Sequence, residues 1–147
     1  MYIVSACLLG HCCRYNGGSN EAPEVKEFLK NKDFIAVCPE VLGGLKTPRL
    51  PAEIVESKVI NQAGEDVTEA FQNGAKLAYK AALKEAARLN EPIETAILKA
   101  KSPSCGSSVI YDGTFQGKLV LGSGFFTQLL KKKGIDVISE EDLKAMR

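Results

Sequence analysis

The 147-residue chain carries 19 Lys and Arg against 18 Asp and Glu, a formal charge of +1, with 45% hydrophobic and 25% charged residues. This balance excludes a disordered or fibrous chain and gives no general attraction to nucleic acid duplexes or anionic lipid. It suits one α/β-sized domain, residues 1–147, with a single core and a small-molecule partner.

The opening Met1-Tyr2-Ile3-Val4-Ser5 has neither the basic start nor the long apolar run of a secretory signal, and no apolar stretch reaches membrane-spanning length, so the expected location is the cytoplasm. Tyr2 to Val4 reads as a buried strand. Pro23 to Lys30, with Pro at its start and apolar Val25, Phe28 and Leu29, predicts a short amphipathic helix, and Phe34 to Val37 a second strand, completing a βαβ unit. Ile54 to Val67 alternates loosely around Gly64 and is expected to form a hairpin, an edge or a lid.

The longest helix is predicted from Thr68, as N-cap, to Leu89, with Phe71, Ala75, Ala78, Ala82, Leu83 and Ala86 at helical spacing. Asn90-Glu91-Pro92 ends it and leads into a third strand, Thr95 to Leu98. Gly122-Ser123-Gly124 precedes a helix carrying Phe125, Phe126, Leu129 and Leu130. Asp136 to Ile138 reads as a fourth strand, and a last helix starts after Ser139. Strands and helices alternating in this order predict a three-layer, Rossmann-like, mostly parallel sheet flanked by helices, with right-handed crossovers.

In such sheets ligands bind beyond the carboxyl ends of the strands. Cys7, Cys38 and Cys105 each fall there, one after each of the first three strands. Converging thiolates need a cation to offset their repulsion, and soft sulfur donors select zinc, copper(I) or an iron–sulfur cluster. Free cysteine is commonly a small buried hydrophobe, but these three are bracketed by Gly10, by Pro39 with Glu40, and by Pro103 with Gly106, residues of loops rather than of core. No C-x-x-C pair is present, so spacing alone does not choose the metal. Odd cysteines in a reducing compartment are not a disulfide scaffold. Cys13 is a candidate extra ligand or nearby thiol, while His11 and Cys12 are assigned no role.

Three motifs carry a wider resemblance. Ser5-Ala6-Cys7-Leu8-Leu9-Gly10 through Cys13-Arg14-Tyr15-Asn16-Gly17, then Cys38-Pro39-Glu40-Val41-Leu42-Gly43-Gly44 with Thr47-Pro48-Arg49, then Lys99 to Gly106 with Ile110 to Phe115, resemble the DUF523 family, which includes the thiouracil desulfidases. The resemblance implies a [4Fe-4S] cluster held by Cys7, Cys38 and Cys105, with the fourth iron open to the sulfur of a thiocarbonyl substrate and hydrosulfide as product. It implies catalytic roles for Glu40 and for Ser102, with Ser104 as a substitute. Where the family usually reads Arg-Tyr-Asp-Gly, this chain has Asn16, which the turn accommodates if the position only shapes backbone.

Arg14 and Arg49 are expected either to hold an anionic group or to pair with Glu40 and fix its orientation. Gly122-Ser123-Gly124 offers backbone N–H groups to an anion, although so short a pair more often makes a tight turn. The rival readings are a non-catalytic protein stapled by a cysteine-held zinc and a thiol redox protein using Cys12 or Cys13.

Overall fold

The computed structural model describes residues 1–146. Four strands form a wholly parallel sheet: β1 (Tyr2–Ser5), β2 (Phe34–Val37), β5 (Thr95–Leu98) and β8 (Asp136–Ser139), in the order β2-β1-β5-β8. Beyond β1 the chain leads first to β2 on one side and later to β5 on the other. The switch point of the sheet therefore lies at the carboxyl ends of β1 and β5, where an open α/β sheet leaves a crevice.

Side chains on these strands alternate between two cores, as the period of two requires. Ile3, Ala96 and Leu98 pack with Ala75, Ala78, Ala82, Ala86, Phe126 and Leu130 on one face, while Val4 and Ile97 pack with Leu8, Val25, Leu29 and Leu143 on the other. The first face is covered by α3 (Thr68–Leu89) and α4 (Phe125–Lys132), the second by α1 (Pro23–Leu29) and α5 (Glu140–Ala145). The three-layer expectation holds. Each fully buried Phe126 or Leu130 side chain contributes about 1.5–3 kcal/mol of transfer free energy.

Helix α3 has the predicted limits, but two details differ. Thr68 is its first helical residue rather than its cap: Val67 is the cap, Thr68 N donates to Asp66 Oδ1 at 2.9 Å, and Thr68 Oγ1 accepts from Val59 N at 2.8 Å. The hydroxyl thus ties the helix to β4 (Lys58–Asn61) instead of closing its own first turn. Leu83 is 45% exposed, because the buried stripe runs through the alanines and leaves Leu83 on its flank.

The hairpin expected around Gly64 turns earlier. β3 (Ala52–Val55) pairs antiparallel with β4 through Glu56 and Ser57, which have φ of 47° and 69°, the left-handed pair of a tight turn whose twist matches the strands. Gly64 ends the separate turn that follows β4, where Asn61 Oδ1 accepts from Ala63 N and Glu65 N, each at 3.0 Å.

Two elements had no clear period. The short helix α2 (Pro39–Leu42) follows β2, and a second hairpin joins β6 (Val109–Tyr111) to β7 (Leu119–Leu121). α2 crosses α3 at backbone contact. A Cβ on Gly74 would lie 1.9 Å from Pro39 O, and one on Gly43 2.1 Å from Ala70 O. Only glycine at both positions permits the approach that seats α2. At the other end of the chain, Ser139 caps α5 in a capping box with Asp142. Among the described residues no helix is long and apolar enough to cross a membrane.

Candidate active site

Cys7 stands on a 3-10 turn (Ala6–Leu9) directly after β1, Cys38 at the cap of α2 after β2, and Cys105 in the loop after β5. All three, with Glu40, Ser102 and Ser104, line one cavity of about 450 Å³ at the switch point. That volume falls within the range of small-molecule pockets. The hairpins β3–β4 and β6–β7 supply Glu53, Tyr111 and Phe115 to its roof. Glu53 Oε1 accepts from Gly113 N at 3.0 Å and Phe115 N at 3.1 Å, so one carboxylate holds the two hairpins together.

The Cys105 loop is built by its serines and by α4. Ser102 Oγ accepts from Ser104 N at 3.1 Å and Cys105 N at 2.8 Å, which folds Ser102–Cys105 into a tight turn. The N–H groups of Phe125 and Phe126 donate to Pro103 O and Ser104 O, at 2.9 and 2.8 Å, and Thr127 Oγ1 donates to Cys105 O at 2.8 Å. A Cβ on Gly124 would stand 2.3 Å from the Ser104 carbonyl carbon. The N-terminal N–H groups after Gly122-Ser123-Gly124 therefore serve the cysteine loop, and this segment is a tight turn rather than an anion cradle.

Glu40 is held from two sides. Arg49 Nε donates to Oε1 at 3.0 Å, with Nη2 of the same ion pair 2.9 Å from that oxygen, and Ser104 Oγ donates to Oε2 at 3.2 Å. Arg49 also donates to Cys13 O at 3.0 Å and to Lys46 O and Thr47 Oγ1 at 3.1 Å each, so every arm of the guanidinium is used. Of the two alternatives for Arg49, the structure adopts the pairing with Glu40. Arg14 lines the cavity and lies 5.6 Å from the Tyr15 ring centroid. Lys99 Nζ pairs with Glu140 Oε2 at 3.1 Å, and Ser5 Oγ accepts from Lys99 N at 2.9 Å.

The thiols are in tension with their surroundings. Burial pushes the Cys105 thiol far up, against a hydrogen bond with Ser5, and the charges of Cys7 and Cys38 push the same way. Burial also raises Cys7, partly offset by Asn20 Nδ2, which donates to Cys7 Sγ at 3.8 Å. Cys38 runs the other way: the Cys13 S–H beside it favours the Cys38 thiolate and brings it down to about 7, while Cys13 is raised by the same contact. As a neutral thiol, Cys38 donates instead to Cys13 O at 3.9 Å. Thiolates so placed are stabilised by a positive centre among them. Among the described residues no three His, Cys, Asp or Glu side chains are arranged to hold a single metal ion. The donor set is soft and sulfur-rich, and its carboxylate is already committed to Arg49; it fits a cluster better than a hard cation.

The residues given no role stay outside. His11 and Cys12 are exposed, and Cys12 Sγ lies 4.0 Å from Gly10 O. Asn16 Oδ1 accepts from Gly18 N at 2.9 Å, a turn contact that aspartate makes equally well, and Asn16 is not among the cavity's lining. Tyr111 and Phe115 had entered the sequence reading only as part of a motif; their place in the roof depends on a hairpin that periodicity did not reveal.

Comparison with known proteins places the chain in a family. Residues 2–142 match the 2-thiouracil desulfurase family. An uncharacterized protein, YbbK, of Bacillus subtilis (strain 168) is 43% identical over 155 residues, covering 97% of each chain. A solved structure, the [4Fe-4S]-dependent thiouracil desulfidase TudS (DUF523Vcz), superposes with a TM-score of 0.87 at 43% identity, over 98% of this chain and 93% of that one. With the family match running over residues 2–142 and both relatives aligned along nearly the whole length of the chain, the chain belongs to the 2-thiouracil desulfurase family.

Proposed function

We propose that the chain removes sulfur from thiouracil or a related thiocarbonyl compound by hydrolysis, releasing hydrosulfide, with a [4Fe-4S] cluster held by Cys7, Cys38 and Cys105. The observation that carries this reading is the meeting of three thiols, from the ends of three adjacent strands, with an oriented carboxylate in one cavity. The solved neighbour at 43% identity supports the substrate class and the cofactor.

Bound among these thiolates, the cluster supplies a Lewis acid for the thiocarbonyl sulfur, polarising the carbon to which it is attached. Glu40 acts as general base. Arg49 occupies Oε1 and fixes the plane of the carboxylate, leaving Oε2, also contacted by Ser104, to accept a proton from the attacking water. Water oxygen bonds to the thiocarbonyl carbon, the carbon–sulfur bond breaks, the proton held on Glu40 passes to the departing sulfur as hydrosulfide, and the second water proton leaves the new carbonyl oxygen for solvent. No electrons are gained or lost. Ser102 shapes the loop beneath this exchange and orients the water with its remaining hydroxyl proton. Tyr111 and Phe115 present aromatic surface to a flat heterocycle.

The test is anaerobic reconstitution followed by an assay for sulfide from 2-thiouracil and 4-thiouracil. The wild type is expected to be brown, to carry about four irons per chain and to release sulfide. Cys38→Ala is expected to lose most of the iron, and Glu40→Gln to keep it while losing about 10²–10⁴-fold in rate. A colourless protein holding zinc overturns the reading.

A further inference from the structure

Four thiols, not three, face the cavity. Cys13 lies in the loop between the 3-10 turn and α1, yet lines the same cavity as Cys7 and Cys38. Its position is fixed from outside the loop: Arg49 Nη2 donates to its carbonyl at 3.0 Å, and Cys38 Sγ lies 3.9 Å from the same oxygen. Arg49 N donates to Tyr15 O at 2.6 Å, which pins the loop again two residues on. The residue that orients Glu40 thus also carries Cys13 to the site.

Packing does not account for this placement. Cys13 is only half-buried and belongs to neither apolar core, and its surroundings include Arg14, Glu40 and Arg49. Its neighbour Cys12 is exposed, so of the adjacent pair only Cys13 reaches inward.

Resting on the cluster reading above, we propose that Cys13 is an exchangeable fourth ligand, closing the iron that Cys7, Cys38 and Cys105 leave open until a thiocarbonyl sulfur displaces it. On closing, the Cys13 S–H gives its proton to solvent water and its sulfur bonds to iron. On opening, that bond breaks, substrate sulfur takes the position, and the thiolate regains a proton from water. The iron keeps its oxidation state throughout. Both ligands are soft sulfur donors, so one can replace the other. Arg49 holds the backbone at the Cys13 carbonyl, so the exchange needs only a rotamer change of the short Cys13 side chain. Such a ligand protects the iron in the absence of substrate and competes with substrate in its presence.

The experiment compares reconstituted wild type, Cys13→Val, Cys13→Ala and Cys12→Ser. Iron loss under ferricyanide is followed by the electron paramagnetic resonance signal of the three-iron cluster, and 2-thiouracil binding by its change in visible absorption. The Cys13 variants are expected to assemble the cluster, to lose one iron at least ~10-fold faster than wild type, and to bind 2-thiouracil more tightly. Cys12→Ser should match wild type. Cys13→Ala gives the same reading if valine disturbs the loop. Equal iron loss and equal binding in wild type and the Cys13 variants overturn this proposal alone. A wild type that takes up no iron overturns the cluster reading and this one with it.

Discussion

Ser102 and Ser104 stand two residues apart and do different work. Ser102 Oγ satisfies two backbone N–H groups, whereas Ser104 is buried and donates its hydroxyl to Glu40. Ser102→Ala leaves two partly buried donors without their acceptor, a loss of about 1–3 kcal/mol. Thermal melting should show it as a fall of several degrees, together with poorer iron retention. Ser104→Ala is expected to melt closer to wild type and to lose about tenfold or more in kcat. Arg49→Lys keeps the charge but not the fork, so its iron content should stay near wild type while kcat falls. The placement of Cys7, Cys38 and Cys105 at strand ends was legible in the sequence, and the structure brings them with Glu40 to one cavity; the roles proposed for Glu40 and Ser102 came with the family resemblance. The division between the serines was not legible, since both occupy one turn and only the third dimension shows which hydroxyl reaches the carboxylate.

Helix α3 and its neighbour α2 show what periodicity reads and what it misses. The alanine stripe fixed the limits of a 22-residue helix, because a long amphipathic segment repeats its signal many times. The four residues of α2 repeat nothing, and neither do the three-residue strands of the second hairpin. The seat of α2 depends on Gly74, a residue that helix propensity alone counts as a defect. Replacing it by alanine improves propensity by about 1 kcal/mol but drives a methyl group into the Pro39 carbonyl. Overpacking of this kind costs about 1–3 kcal/mol or more. Gly74→Ala is therefore expected to lower the melting temperature, and to disturb Cys38 and Glu40 at the start of α2, seen as reduced iron incorporation.

For the molecule as a whole, the order β2-β1-β5-β8 brings three loops distant in sequence to one crevice, as an alternating α/β pattern implies. The sequence pattern reached that architecture; the roof was less visible, because its hairpins are short and their turns use Glu56, Ser57 and Phe115 at positive φ rather than glycine alone. A group bound to all three loops favours the folded chain by mass action. Removing iron from the reconstituted protein with a chelator should lower its melting temperature, and cluster-free protein should exchange amide hydrogens faster in the three cysteine loops than in α3.

The cavity has walls of two origins. Its thiols and Glu40 come from loops of the parallel sheet and from α2, while Glu53, Tyr111 and Phe115 come from two hairpins joined to each other through the Glu53 carboxylate. On the reading proposed above, sulfur chemistry and substrate choice are encoded in separate stretches of chain. The hairpins are free to diversify toward other heterocycles while the iron-binding loops stay as they are, so relatives that share every cysteine can be expected to differ in diet.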